Sequence, residues 1–367
     1  MRFRRRYFFA LLVLTLPLVA AVVAPAETPP PFLLEWGTPG AAEGQFAQTA
    51  GVAVDALGHV YVSDTYNYRI QKFDSNGNFL LMWGWGVATG SLKLEICTSS
   101  CQRGSSGDGN GQLNSVKGLA VDALGNVYVA DRDRHRIQKF TSNGTFLDKW
   151  GDYGTGAGDF YMPWFIKVDA RGNVYVSDSF NNRIQKFDSN GNFVLMWGWD
   201  VDVAGGTGFE ICTGSCQSGS SGDGNGQFNI PMDVAVDSSG TVYVIDRYND
   251  RVQKFNSDGT YIAKWGQYGN GLYQFAGPKG AAIDALDNLY VVDSGNRRIQ
   301  KYSRNGVLLA QWGTFGSDDN QFNAPCGVAV DAKGRVYVGD TMNSRVSMFG
   351  FPWVEIFVGE PELPGGR

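Results

Sequence analysis

The chain has 367 residues, a formal net charge of −5 and 49 glycines, and 13% of its residues are aromatic. The acidic balance argues against a role that depends on binding nucleic-acid phosphates. Glycine without a collagen-like period, combined with many aromatic residues, indicates tight turns between well-packed strands.

Residues 1–26 have the features of a secretory signal peptide. Arginines open the chain, an apolar run follows from Tyr7 to Val23, and Ala24-Pro25-Ala26 supplies the small residues that a signal peptidase reads. We predict cleavage after Ala26 and a secreted, periplasmic or cell-surface location. The alternative is an uncleaved anchor, although the run is shorter than the ~20 apolar residues of a membrane span. Cleavage leaves 27 basic and 36 acidic residues, a net charge of −9, with no later apolar segment long enough to span a membrane.

An aspartate that ends a short apolar run marks an internal repeat. The six copies of this aspartate are Asp55, Asp122, Asp169, Asp237, Asp284 and Asp331. Their spacings are 67, 47, 68, 47 and 47 residues, so the base period is 47, with about 20 extra residues after the first and third copies. A period of this size is typical of propellers and other repeat folds.

Each copy contains four short runs with strand character, which we name strands a to d. In the first copy they are VAVD, VYVSD, RIQKF and FLLMW, and the first three alternate with period two. The Gly and Asn residues between the runs suit the positive φ angles of tight turns. Six units of four antiparallel strands predict an all-β, six-bladed β-propeller over residues 27–350.

The two ends of the repeat array predict how the ring closes. The sixth copy ends near Phe349 without a good strand d, whereas Phe32–Trp36 matches the strand-d run Phe79–Trp83 and has no repeat before it. We expect this N-terminal strand to complete the sixth blade and remove its open edge. The tail, residues 351–367, is the alternative, but Pro352 interrupts it.

The extra residues form two insertions, about residues 86–112 and 200–227, and each carries two cysteines. Cys97 and Cys101 lie four residues apart in the first insertion, and Cys212 and Cys216 lie four residues apart in the second. In an exported protein we predict one local disulfide in each insertion. Disulfides between the insertions, a four-cysteine zinc site and free thiols remain open alternatives. The fifth cysteine, Cys326, occupies a position that varies between copies, so it need not be a nucleophile.

These motifs resemble the NHL-repeat family. Its pattern is seen in Gly226-Gln227-Phe228, in Gly277-Pro278-Lys279-Gly280 and in the run from Asn67 to Phe73, and the resemblance covers nearly all of residues 32–349. It implies a propeller whose members include protein-binding and RNA-binding modules, sensor domains of membrane kinases, and a metal-dependent lyase. The fold alone does not select among these functions.

Signatures of catalysis or metal binding are weak. The lyase of the family holds zinc with several histidines, whereas this chain has only His59 and His135. The segments 105–112 and 220–227 look a little like calcium loops but lack the later acidic ligand. We therefore predict no cofactor, and calcium, zinc or a metal held by carboxylates in the channel remain alternatives.

An Asp precedes an Arg by five positions in every copy, as in Asp64 and Arg69. Because catalysis seldom needs one carboxylate six times, we expect these pairs to brace the loops between strands b and c.

Positions that differ between copies are free to form a site, and the most distinctive ones surround the channel mouth on the face of the b–c loops. We also expect the two insertions to frame this mouth. The candidate ligand-binding residues are Tyr66, Tyr68, Arg132, Arg134, His135, Trp164, Phe165, Phe180 and Tyr248. An aromatic mouth of mixed charge suits a protein, peptide, glycan or small ligand.

The sequence therefore predicts an extracytoplasmic, monomeric binding scaffold that does not bind nucleic acid. The alternative is a metal-dependent propeller lyase or a lactonase-like hydrolase. A set of Asp, Glu, Asn or His side chains around a metal in the channel would favour that alternative.

Overall fold

The computed structural model describes residues 27–351. The predicted signal peptide, residues 1–26, and the predicted tail after Phe351 lie outside this range. In chain order the strands are β1 (Phe32–Trp36), β2 (Thr38–Pro39), β3 (Gln45–Phe46), β4 (Thr49–Val54), β5 (Val60–Asp64), β6 (Arg69–Phe73), β7 (Phe79–Trp85), β8 (Leu94–Cys97), β9 (Val116–Val121), β10 (Val127–Asp131), β11 (Arg136–Phe140), β12 (Phe146–Trp150), β13 (Ile166–Val168), β14 (Val174–Asp178), β15 (Arg183–Phe187), β16 (Phe193–Trp199), β17 (Phe209–Cys212), β18 (Pro231–Val236), β19 (Val242–Asp246), β20 (Arg251–Phe255), β21 (Tyr261–Trp265), β22 (Ala281–Ile283), β23 (Leu289–Asp293), β24 (Arg298–Tyr302), β25 (Leu308–Trp312), β26 (Thr314–Phe315), β27 (Gln321–Phe322), β28 (Val328–Val330), β29 (Val336–Asp340) and β30 (Arg345–Phe349). Single-turn 3₁₀ helices lie at Thr65–Asn67, Arg132–Arg134, Ser179–Asn181, Arg247–Asn249 and Thr341–Asn343.

The main strands form six antiparallel sheets, so the predicted six-bladed propeller is confirmed. Blade 1 is β4–β8, blade 2 is β9–β12, blade 3 is β13–β17, blade 4 is β18–β21, blade 5 is β22–β25, and blade 6 is β28, β29, β30 and β1. Within the described residues, no helix is long and apolar enough to cross a membrane.

The N-terminal strand closes the ring as predicted. β1 pairs antiparallel with β30, with Glu35 opposite Ser347 and Trp36 opposite Val346. The Trp36 ring packs edge-on against Tyr337 of blade 6, at 6.2 Å between ring centres. The outermost strand of blade 6 therefore comes from the other end of the described chain.

Aromatic side chains fill the cores between adjacent blades. Trp83 of strand d is fully buried, and its ring lies 6.2 Å from Tyr61 of its own blade and 5.9 Å from Phe140 of the next blade. Each large aromatic buries about 150–250 Å² of surface. The interface between blades thus explains why strands b, c and d repeat their aromatic positions.

A buried ion pair braces each b–c loop, which confirms the role expected of the Asp–Arg pairs. In blade 1, Arg69 Nε donates to Asp64 Oδ2 at 2.7 Å, and Arg69 Nη2 donates to the carbonyls of Ala42 and Gln45 at 2.8 and 3.0 Å. The guanidinium therefore ties the loop to the segment that leads into the blade. The other pairs, with Nε–Oδ2 distances of 2.7–2.9 Å, are Arg136–Asp131, Arg183–Asp178, Arg251–Asp246, Arg298–Asp293 and Arg345–Asp340.

The insertions give blades 1 and 3 a fifth strand beyond the four predicted. β8 pairs with β7, and β17 with β16, on the edge farthest from the channel. Disulfides join Cys97 to Cys101 and Cys212 to Cys216, as predicted for local pairs. The insertions therefore extend the outer edges of their blades, and the first one also reaches the b–c loop of its blade, where the backbone N–H of Gly104 donates to the carbonyl of Asn67 at 2.9 Å.

Candidate functional site

The b–c loops present their second residue to solvent on one face of the propeller, which we call the b–c face. In blade 1 the single turn of 3₁₀ helix is followed by Tyr68, whose φ of 54° is left-handed. Asn67 fixes the turn by donating from Nδ2 to the Asp64 carboxylate, at 2.9 Å, and to the carbonyl of Gly40, at 2.8 Å. This geometry leaves Tyr66 exposed, as are Phe180 and Tyr248 at the same position of blades 3 and 4.

Four side chains from blades 1, 2 and 3 form a basic–aromatic patch on this face: Tyr66, Lys117, Arg132 and Trp164. The Arg132 guanidinium lies 4.4 Å from the centre of the Trp164 ring. Lys117 Nζ lies 5.6 Å from the Trp164 ring and 5.7 Å from the Tyr66 ring. These are distances at which a cation is attracted to an aromatic face. The patch unites three predicted residues with Lys117, whose pKa is lowered by burial.

Hydrogen-bond capacity is left over on the b–c face. Arg132 donates to Asp133 from Nη1 at 3.0 Å, but Arg132 Nε is buried and has no partner among the described residues, and the same holds for Arg247 Nε. By contrast, the Nε atoms of the bracing arginines, such as Arg183, all donate to a carboxylate. Arg132 Nη2 donates to Met162 Sδ at 3.3 Å, so the guanidinium of Arg132 is less completely hydrogen-bonded within the fold than those of the bracing arginines.

Three of the predicted residues are occupied by contacts within the fold. Tyr68 is covered by the guanidinium of Arg103, at 4.9 Å from its ring centre. Arg134 Nε lies 2.9 Å from Asp108 Oδ1, although the alignment falls short of a hydrogen bond. His135 Nδ1 accepts a hydrogen bond from the backbone N–H of Met162 at 3.0 Å, and burial lowers its pKa, which favours the neutral ring. These side chains join neighbouring segments and lie outside the patch.

Phe180 and Tyr248 also lie outside the patch. The ring centre of Phe180 is 5.3 Å from that of Tyr161, and Arg247 lies 4.9 Å from the ring centre of Tyr248. These two rings add to the aromatic surface of the b–c face, but the residues that they contact do not belong to the patch.

Phe165 closes the channel at the b–c face. Its side chain is 2% exposed and packs in one cluster with Ala50 of blade 1 and Cys326 of blade 6, with Trp164 beside them. Because Phe165 belongs to blade 3, its ring must cross the channel to join this cluster. The patch therefore lies on a filled surface instead of around an open mouth.

Below Phe165 the channel holds a cavity of about 220 Å³, lined by strand a of every blade. The final residues of these strands, such as Val54, Val121 and Val168, are half-buried, whereas residues nearer the b–c face, such as Val52 and Ile166, are buried. The cavity is thus open toward the a–b loops and closed at Phe165. Its wall is aliphatic except for Lys167.

Lys167 and Asp233 form an ion pair in the channel that sequence reasoning missed. Lys167 Nζ lies 3.6 Å from Asp233 Oδ2 and 5.9 Å from the centre of the Phe165 ring. Burial raises the pKa of Asp233 to about 6, and Lys167 opposes that shift. The signal was present in the repeats, because the other copies place alanine where Lys167 stands, and four copies place glycine where Asp233 stands.

The described side chains do not fit a metal site of the kind a propeller lyase or lactonase would need. Within residues 27–351, no three His, Cys, Asp or Glu side chains are grouped closely enough to hold a metal ion. The carboxylate in the channel, Asp233, already faces an ammonium. His59 Nδ1 lies 2.9 Å from Asp55 Oδ2 in an a–b turn, where Asn126 makes the matching contact in blade 2.

The sheets and their closure define the chain as a six-bladed β-propeller built from sequence repeats. The NHL repeat matches residues 46–73, 113–140, 160–187, 228–255 and 275–302. The chain therefore belongs to the NHL-repeat family.

A curated protein resembles part of this chain in sequence. Protein brain tumor of Drosophila melanogaster is 33% identical over 119 residues, which are 32% of this chain and 10% of that protein. The chain thus spans about a tenth of the length of this curated relative.

Among solved structures, a gluconolactonase from Xanthomonas campestris has a TM-score of 0.54 and 15% identity, with 90% of this chain and 99% of that chain covered. A streptogramin B lyase has a TM-score of 0.51 and 11% identity, with 84% and 96% covered. At these identities the likeness shows the fold alone.

Proposed function

We propose that this protein is an exported binding scaffold whose basic–aromatic patch holds an acidic segment of a protein or peptide partner. The observation that carries the proposal is the contact of Arg132 and Lys117 with the ring of Trp164, where the Arg132 side chain is 20% exposed. Arginine and large aromatic side chains supply much of the binding energy in protein interfaces.

The charge of the patch favours an acidic segment. The whole chain carries a net charge of −5, yet the patch contains two cations, the partly exposed Arg132 and the buried Lys117, with Asp133 as the acidic neighbour of Arg132. A planar guanidinium suits a carboxylate, and Nη1 and Nη2 of Arg132 each carry a second N–H besides the one directed at Asp133 or Met162. The aromatic rings can pack against the aliphatic or aromatic neighbours of that carboxylate.

The closed channel favours an extended partner over a small molecule at this face. Small ligands are usually held in concave pockets that bury most of their surface. Phe165, at 2% exposure, fills the position where such a pocket would begin. A chain segment lying across the exposed Tyr66 and Tyr248 needs no such pocket. The alternative lyase or hydrolase gains no support from the donor set in the channel.

Selection of random peptides displayed on phage against the mature protein tests the proposal. We expect enrichment of peptides that combine Asp or Glu with apolar residues. The variant Arg132→Thr/Trp164→Met uses the residues of other copies, Thr65 and Met232, and should bind the selected peptides at least about tenfold more weakly. The matched control is Leu124→Arg, which copies Arg171 in an a–b turn and should leave affinity unchanged. Enrichment of basic peptides, or equal binding by the double variant, would contradict the proposal.

Export is tested separately by sequencing the N-terminus of the protein recovered outside the cytoplasm. We expect it to begin at Glu27. Two local disulfides are consistent with an oxidising compartment. Recovery of the full-length chain in the cytoplasm with reduced cysteines would contradict export and leave the patch to be judged on its own.

A further inference from the structure

We propose that the cavity beneath Phe165 is a second ligand site, which binds a small carboxylate with a compact aliphatic body and pairs its charge with Lys167. This inference is independent of the proposed function, because the cavity opens toward the a–b loops and the patch lies on the opposite face.

The position of Lys167 is the first observation. Its equivalents in the other copies are alanines, and they line the same cavity: Ala53, Ala120, Ala235, Ala282 and Ala329. A single cation therefore interrupts a ring of small apolar side chains. An isolated ammonium in an aliphatic wall is costly to desolvate unless something compensates its charge.

Asp233 compensates that charge only in part. Asp233 is fully buried, and its carboxylate accepts hydrogen bonds from the backbone N–H groups of Val234 and Ala281, both at 2.8 Å. At 3.6 Å, its contact with Lys167 is longer than a hydrogen bond. An ammonium has three donors. Even with one directed at Asp233, Lys167 keeps two for the cavity, into which its side chain is 18% exposed.

The shape of the cavity limits the size of the ligand. Its volume is about 220 Å³, room for about seven waters at about 30 Å³ each. Phe165 blocks one end, and the half-buried rim formed by residues such as Val54 and Ile283 leaves the other end open. A charged head near Lys167 and a short aliphatic body along the Val and Ala wall would match this arrangement.

A structural role for the pair is the competing explanation. Lys167 and Asp233 come from blades 3 and 4, so their attraction could simply hold two neighbouring blades together. That role requires the pair but no accessible ammonium. A ligand site requires the ammonium and the free volume, and it does not require Asp233. The two explanations therefore differ in which single changes matter.

Ligand-observed NMR with butyrate tests the proposal on the mature protein, with butyramide and butylammonium as neutral and cationic probes of similar shape. We expect saturable binding of butyrate alone. Lys167→Met, which keeps the aliphatic stem, should weaken butyrate binding at least about tenfold. Ala329→Leu, which keeps Lys167 and fills the cavity, should do the same.

Asp233→Gly is the matched control, since it restores the glycine of other copies and leaves Lys167 in place. We expect it to bind butyrate at least as well as the wild type. Lys167→Ala/Asp233→Gly restores the common pattern at both positions and should fold but not bind. The proposal is wrong if the wild type shows no saturable butyrate binding in the millimolar range, or if Lys167→Met or Ala329→Leu binds like the wild type. It is also wrong if butyramide binds as well as butyrate.

Discussion

The Asp–Arg braces of the b–c loops are the same in all six blades, whereas the channel wall differs from blade to blade. Every blade carries the Asp–Arg brace with nearly the same geometry. In the channel, four blades place glycine at or near the start of strand a, and a Cβ at Gly51 would lie 2.2 Å from the carbonyl oxygen of Lys117. Blades 3 and 4 instead place Phe165 and Asp233 there. Uniform positions thus maintain the fold, and the departures mark where a particular chemistry has been added.

The largest effect should come from breaking a brace. Arg183→Ala leaves the fully buried Asp178 without its charge partner. Removing one member of a buried pair typically costs about 3–5 kcal/mol. Urea unfolding, monitored by tryptophan fluorescence, should show a loss of this size in the free energy of unfolding. Arg171→Ala, at an exposed arginine, is the control and should change it by no more than about 0.5 kcal/mol. Equal effects of the two changes would contradict the uniform structural role.

The pH dependence of stability should expose Asp233 next. Its pKa is raised from 3.8 to about 6 by burial. A raised carboxyl pKa contributes stability that is present below the unfolded value and is lost as pH rises through the folded value. From about pH 4 to about pH 7 the wild type should therefore lose up to about 3 kcal/mol relative to Asp233→Gly. Parallel pH profiles of the free energy of unfolding for the two proteins would show that Asp233 does not titrate in this window.

The repeated part of the fold could be predicted from sequence because six copies supply the same signal. Strand order and closure by Phe32–Trp36 followed from matching one run to another. The fifth strands of blades 1 and 3 could not be predicted in that way, because β8 and β17 have no counterpart in the plain repeats. The cysteines indicated a local constraint there, but not that Leu94–Cys97 would pair with the outer edge of its blade.

The candidate site was predicted in part for a similar reason. Variable b–c positions led to Tyr66, Arg132 and Trp164, which the structure joins through Lys117. Trp164 and Phe165 directly precede β13 and pair with strand b through Ser177. Successive side chains of such an extended segment point in opposite directions, so Trp164 stays on the face whereas Phe165 enters the channel. Lys167 was not among the predicted residues, because these came from the b–c loops and from positions just before strand a, whereas Lys167 lies within strand a, where the other copies have alanine.

The disulfides should have a smaller effect, equal in both insertions. Cys212→Ser/Cys216→Ser opens a loop with a sequence separation of 4, and chain entropy predicts a loss of about 2 kcal/mol. Cys97→Ser/Cys101→Ser should lower the free energy of unfolding by the same amount within about 0.5 kcal/mol, since the cysteines of the two insertions pack alike against Met82 and Met196. Thermal unfolding of both variants measures this. A large difference in stability between the two variants would mean that one insertion contributes to the fold in a way that the other does not.

The smallest effect is expected where the channel departs from the repeat. Lys167→Ala/Asp233→Gly removes both charges at once, so neither is left buried alone. Replacing a buried pair by apolar residues is often neutral or stabilising, and here both replacements are the residues that other blades use. The free energy of unfolding at pH 7 should therefore stay within about 1 kcal/mol of the wild type. A loss as large as that of Arg183→Ala would make the channel pair a seventh brace. A neutral result would mean that the fold does not need the pair, and that its presence has to be explained by what enters the channel.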